Sequence, residues 1–191
     1  EAFFLNRPEL PHTTGTALID TLRNAKAISY SHEQGWHIPA WSALMYARSL
    51  QDFPELRGRA PRVLYFNGPS RTAVEREWEF TEGYASSFTH IVMLFNTIRP
   101  GGEHIDPSGK RVVTPLLPTV AFREVLANAL MHQDLEQRGR FLTVEIFSDR
   151  VEVTNPGTPL IDPQRFIDSA STTRNTHLGL SLIHISERAG K

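Results

Sequence analysis

Residues 140–157, "RFLTVEIFSDRVEVTNPG", leave this chain few options. Leu142, Val144 and Ile146 alternate with polar neighbours, the chain turns at Ser148-Asp149, and Val151 and Val153 resume the pattern. A period of two marks a β-hairpin with one buried face. Asn155-Pro156-Gly157 ends it, because proline has no N–H to give to a ladder. The buried face needs a cover, and the preceding segment, 119–132, carries apolar residues at helical spacing. The expected unit is a β-sheet with helices on one face, towards which Val144, Ile146, Val151 and Val153 point.

That helix holds a second constraint. In "AFREVLANALMHQD" (121–134), Glu124, Asn128 and His132 recur every fourth residue, which stacks them turn above turn on nearly one face. One carboxylate, one amide and one imidazole suit a surface that meets something polar. Taken by themselves, Glu124 and Asn128 serve equally well as caps for backbone groups of the hairpin. His132 with Asp134 is too little for a metal site, and the eight histidines show no ligand spacing.

Upstream, "TTGTALIDTLRNAKAI" (13–28) reads as a helix opened by threonine caps. "SHEQG" reads as a turn, and "WHIPAWSALMYARSL" as a short strand leading into a second helix. "PRVLYFNG" (61–68) is a buried strand closed by Asn-Gly. Residues 70–98 carry a long helical pattern, with Trp78, Phe88 and Leu94 facing inward as core. The Pro- and Gly-rich stretch 99–118 is either a linker or a hairpin turning at "DPSG", and it divides the chain into halves. Its "SGK" is no phosphate loop: six residues separate Gly102 from Gly109 where four are needed, and Arg111 follows Lys110 where Ser or Thr belongs. "STTRNTHLGLSLIHISERA" (171–189) reads as a polar loop followed by an amphipathic helix. Thr172, Thr173 and Arg174 suit either phosphate binding or a plain surface loop.

Composition removes several classes. The chain has 191 residues, 40% of them apolar, enough for a true core. A net charge of -1 supplies no field to draw it onto nucleic acid or membrane, and no basic stripe is present. No apolar run approaches the ~18 residues of a membrane span. Absence of cysteine removes disulfides and thiolate metal sites. A start at Glu1 without a signal-peptide pattern reads as an internal piece of a larger cytoplasmic protein.

Glu124-x-x-x-Asn128, the two-stranded run into Asn155-Pro156-Gly157, and Arg174-Asn175 together resemble one branch of the GHKL (Bergerat-fold) ATPases. That branch is the RecG-like, Schlafen-AlbA-linked bacterial transcriptional regulators, with the pattern "REALxNAxxHRDY … VxIFxDRIEIxNPG … RNP". "IPAWSALMYARSLQDFPELRGRAPRVLYFNG" is similar to their upstream segment, so the resemblance spans roughly residues 20–191. It implies an α/β fold, an α+β sandwich with a GHKL-like mixed sheet and helices on one face, preceded by a smaller α/β segment. It divides the chain into an accessory or dimerisation segment (1–110) and an ATPase-like domain (111–191) truncated at its C-terminus. ATP and Mg²⁺ are the implied cofactors. Glu124 takes the place of the catalytic, water-polarising glutamate and Asn128 that of the magnesium ligand. His132, Asn155, Gly157, Thr173 and Arg174 line the nucleotide site. A water-activating base and an amide oxygen for a hydrated Mg²⁺ are reasonable chemistry for those two side chains.

The departures set the functional expectation. Where such enzymes read adenine with the aspartate of "DxGxG", this chain has "NPGTP": Asn155 replaces the aspartate and Pro159 the second glycine. An amide oxygen accepts a weaker hydrogen bond than a carboxylate. "HQDL" stands for "HRDY", "RNT" for "RNP", and no later glycine-rich phosphate cradle follows. The expectation is a non-catalytic or weakly nucleotide-binding module of a DNA-binding transcriptional regulator. DNA would be held by a separate domain not in this chain, and the assembly would be a homo-oligomer, most simply a dimer. The alternatives are a working Mg-ATPase domain completed beyond Lys191, and a pure dimerisation module.

Overall fold

The structure is a computed structural model that describes residues 15–98, 101–137, 139–160, 174, 175 and 178. Helix α1 (Gly15–Asn24) leads into the hairpin β1 (Ser29–Ser31) and β2 (Gly35–His37), then helix α2 (Ala40–Tyr46). Two short 3-10 turns (Leu50–Asp52 and Pro54–Leu56) precede β3 (Arg62–Tyr65) and β4 (Arg76–Glu79). Helix α3 (Tyr84–Ile98), the hairpin β5 (Gly101–Ile105) and β6 (Arg111–Pro115), helix α4 (Thr119–His132), and the hairpin β7 (Thr143–Ile146) and β8 (Val151–Thr154) complete the described elements.

The central sheet has the order β4-β3-β7-β8. β3 pairs parallel with β7, while both outer pairings are antiparallel, so the sheet is mixed. Its register places Val63 beside Val144, and Val144 beside Val153. These side chains form one face of the sheet with Ile146 and Val151, and they pack into the same apolar cluster as α3 and α4. The alternation in 140–154 is therefore read correctly by the sequence. α3 contributes Tyr84, Phe88, Ile91 and Phe95, and α4 contributes Phe122, Leu126 and Leu130, all buried. Phe95 and Phe122 stack at 3.9 Å between centroids, closing the seam between the two helices. The fold is α+β, with a mixed sheet and its helical cover. Sheet and core both draw on residues from either side of position 110.

The opposite face of the sheet is charged. Arg62 lies 3.9 Å from Glu77 and 3.8 Å from Glu79, over the ring of Phe141. Arg71 grips both oxygens of Glu145 at 2.8 Å and also reaches Glu152. Such exposed pairs add little stability, but they keep this face wet.

One expectation fails. Residues 70–83 are not helical: Arg76–Glu79 form an antiparallel strand on β3, and the helix begins only at Tyr84. Local propensity in "AVEREWEF" favours helix, yet pairing Trp78 across from Val63 buries more than an exposed helical turn would. Phe88 is fully buried, and Trp78 and Leu94 pack partly buried against the core.

Within the Pro- and Gly-rich stretch, residues 101–115 form a hairpin. Asp106 Oδ1 accepts hydrogen bonds from the Ser108 hydroxyl (2.6 Å) and the backbone N–H groups of Ser108 (2.8 Å) and Lys110 (3.0 Å). Gly109 supplies the left-handed residue of the turn at φ +81°. These donors, the Ser108 hydroxyl first, hold the Asp106 carboxyl below its ordinary pKa. A depressed folded pKa means that the turn's support is complete above the unfolded value, about 3.9, and is lost as pH falls through the folded one. An NMR titration should therefore show the Ser108 and Lys110 amides moving with a midpoint below 3.9, as a rough reference value. A midpoint at or above it would contradict the turn geometry.

Candidate functional site

Helix α4 lies against α3 and β8 and leaves one face outward. Phe122, Arg123, Leu126, Ala127, Ala129, Leu130 and Met131 are its buried residues. Glu124 and Asn128 are exposed and His132 is half-buried, so the four-residue stripe is the outward arc of the helix, with Ala121 and Val125 between. Among the described residues, the side chains of Glu124, Asn128 and His132 make no hydrogen bond or ion pair. A capping role toward the hairpin is therefore not what they perform.

The end of α4 is held differently. Its C-cap, Gln133, is extended, which leaves the last carbonyls of the helix without partners from the helix itself. Asn175 Nδ2 donates to Met131 O (2.9 Å) and Gln133 O (2.8 Å). The buried Gln133 side chain donates to Tyr84 Oη (2.9 Å) and Leu130 O (3.1 Å), and Tyr84 Oη donates to Arg59 O (3.0 Å). Burial pushes the Tyr84 hydroxyl far above an ordinary tyrosine, so it stays protonated and able to donate. The buried Arg59 guanidinium donates to Gln137 O (2.7 Å) and to Leu135 O.

Asp134 joins this end to the turn after β8. Its N–H donates to Pro156 O (2.7 Å), and its Oδ2 lies 3.1 Å from Arg174 Nη1. Arg174 Nη2 donates to Thr158 O (3.0 Å). Gly157 sits beside them at φ +122°. Asn155 is half-buried on the same turn, and its side chain has no hydrogen bond among the described residues.

The fold thus brings Gly157 and Arg174 together, with Asn155 on the same turn and His132 two residues from Asp134. Glu124 and Asn128 stand further up the same helix. Thr172, Thr173 and the 176–189 helical reading lie outside the described residues, apart from Leu178, which is helical and buried. Sequence reasoning weighed Asp134 only as a metal ligand beside His132, and missed Tyr84 and Arg59. The aspartate of the "HRDY"-like stretch was the available signal for the first; the other two gave none.

The chemistry of this donor set is that of hard oxygen ligands and neutral hydrogen-bonding groups. Among the described residues no three His, Asp or Glu side chains converge on a metal position. Among the described residues, no helix is long and apolar enough to cross a membrane.

An α+β domain whose helix α4 carries an exposed polar stripe and is fastened at its end to a glycine turn is the class that fold and geometry define. Residues 139–190 match the family model described as "Putative ATP-dependent DNA helicase recG C-terminal". The match covers β7, β8, the 155–158 turn and the Arg174-Asn175 pair, and leaves α4 outside it. No curated protein matches the chain. Among solved structures, the DIP2311 protein from Corynebacterium diphtheriae is similar in fold, with a TM-score of 0.65 and 17% identity over 97% of this chain. The chain spans only 36% of that protein.

Proposed function

We propose that this chain is a GHKL-like, nucleotide-responsive module of a RecG-like transcriptional regulator, one that binds a Mg-nucleotide weakly and does not hydrolyse it. The observation that carries the reading is the juxtaposition of two features. The Glu124–Asn128 face has no partner of its own among the described residues, and it stands on the helix whose end is fastened to the turn of the RecG-like segment. Asn128 would hold a hydrated Mg²⁺ through its amide oxygen, and the ion would neutralise phosphate charge. Glu124 would orient a water, and Asn155 would meet the base. Replacement of the adenine-reading carboxylate by the Asn155 amide, and of the next glycine by Pro159, favours weak binding over turnover. In the parent protein, DNA contact would belong to another domain and the module would act within a homo-oligomer.

Calorimetric titration with ATP, with and without magnesium, tests this. Asn128→Ala should abolish the magnesium-dependent part of the affinity. Glu124→Ala should leave binding within about twofold, because a water-activating base acts chiefly in the transition state. Phosphate release above background that disappears in Glu124→Ala would replace the regulatory reading by that of an ATPase. Absence of any nucleotide binding would remove both.

A further inference from the structure

We propose that Asp134, Arg174 and Asn175 form a clasp that positions the 155–158 turn on the end of α4, and that Gly157 is glycine to admit the Arg174 guanidinium. Three stretches far apart in sequence meet here, and each is tied to the others. Asn175 spends both amide hydrogens on the carbonyls of Met131 and Gln133. Asp134 binds the turn through its N–H on Pro156 O. Arg174 then bridges the two sides, with Nη1 ion-paired to Asp134 at 3.1 Å and Nη2 on Thr158 O at 3.0 Å. The carboxylate is itself fixed, because its other oxygen accepts the N–H of Glu136 at 3.0 Å. Arg174 and Asp134 side chains are only 20% and 25% exposed, so solvent screens the pair less than it would a surface bridge.

Gly157 explains itself within this arrangement. A Cβ there would lie 2.7 Å from Arg174 Nη1 and 3.0 Å from Asp134 Cβ. The backbone also sits at φ +122°, where side chains are strained in any case. The crowding comes from the clasp, so the protein's own packing favours glycine at a position that also matches a nucleotide-binding pattern. Asn155 is the group that the clasp sets. It lies between Thr154, paired with Thr143, and Pro156, bonded to Asp134. Its backbone is pinned on both sides, while its amide has no bond among the described residues.

Two measurements on the folded chain decide the proposal. In NMR spectra, Arg174→Gln and Asp134→Asn should each shift the Asn155 side-chain amide and the Gly157 backbone amide, and the double variant should reproduce either single one. Unmoved resonances, or shifts that add, would overturn it. In melting experiments, Gly157→Ala should lower the transition temperature less in an Arg174→Ala background than in the wild type, because the 2.7 Å contact is then gone and only the positive φ and the Asp134 contact remain. Equal losses would overturn the assignment of Gly157. If Arg174→Ala does not fold, Arg174→Lys, which withdraws the planar fork, provides the background. The consequence for ligands rests on the nucleotide reading: Arg174→Gln should reduce the preference for ATP over GTP about tenfold while leaving the magnesium dependence intact, an effect of a lost hydrogen-bond geometry. If the wild type binds no nucleotide, that reading falls, while resonances and melting still judge the clasp.

Discussion

Phe122→Ala should lower the melting temperature of this chain by roughly 6–20 °C. Phe122 is fully buried and stacks on Phe95 at 3.9 Å, between α3 and α4. Truncating a buried phenylalanine costs about 3–5 kcal/mol through lost transfer energy and the cavity left behind. A protein of this size loses about 2–4 °C per kcal/mol. The helices cannot close the gap cheaply, because Tyr84, Phe88 and Leu126 already fill the surrounding layer. Val120 on the same helix provides the control: it is 72% exposed, and its alanine variant should change stability by less than about 0.5 kcal/mol. Scanning calorimetry of both variants is the check, and equal melting temperatures would contradict the packing described.

Arg59→Leu should cost about 2–4 kcal/mol, for a different reason. Asn175 satisfies the carbonyls of residues 131 and 133, and Arg59 satisfies those of 135 and 137. Leucine fills a similar space but leaves two carbonyls without their charged donor at a residue that is only 7% exposed. Urea denaturation should show a lower midpoint with an unchanged slope. Arg59→Lys should recover only part of the loss, since an ammonium does not present the planar fork that spans both acceptors. Full recovery by lysine would mean that the charge alone, and not the fork, holds the segment.

How far the sequence could be read depended on range. The β7–β8 hairpin was legible because Leu142, Val144, Ile146, Val151 and Val153 carry their own period. α4 was legible for the same reason. β4 was not, because Arg76, Glu77 and Glu79 leave Trp78 as its single anchoring side chain, and only the neighbouring β3 makes a strand of it. The parallel pairing of β3 with β7 had no local signal at all. At the candidate site, the spacing of Glu124, Asn128 and His132 was visible, and their common face follows from it. What joins the site lay out of reach: Asp134 with Arg174, Asn175 with the end of α4, and Arg59 with Gln137 are matched across the chain by shape and charge. A residue-by-residue pattern holds no record of such matches.

The parallel β3–β7 seam also sets the order in which the molecule can assemble. β3 and β4 can pair as soon as both have been synthesised, whereas the other edge of β3 must wait for β7, with α3, the β5–β6 hairpin and α4 in between. Until then Val63 has no sheet neighbour on that side, and the helices have only half a surface to dock on. Closing so long an intervening loop before its contacts reward it makes folding slow. A nascent chain halted before Thr143 would present an unpaired strand edge to other chains. The seam that completes the core is thus also the point of greatest exposure to aggregation during synthesis.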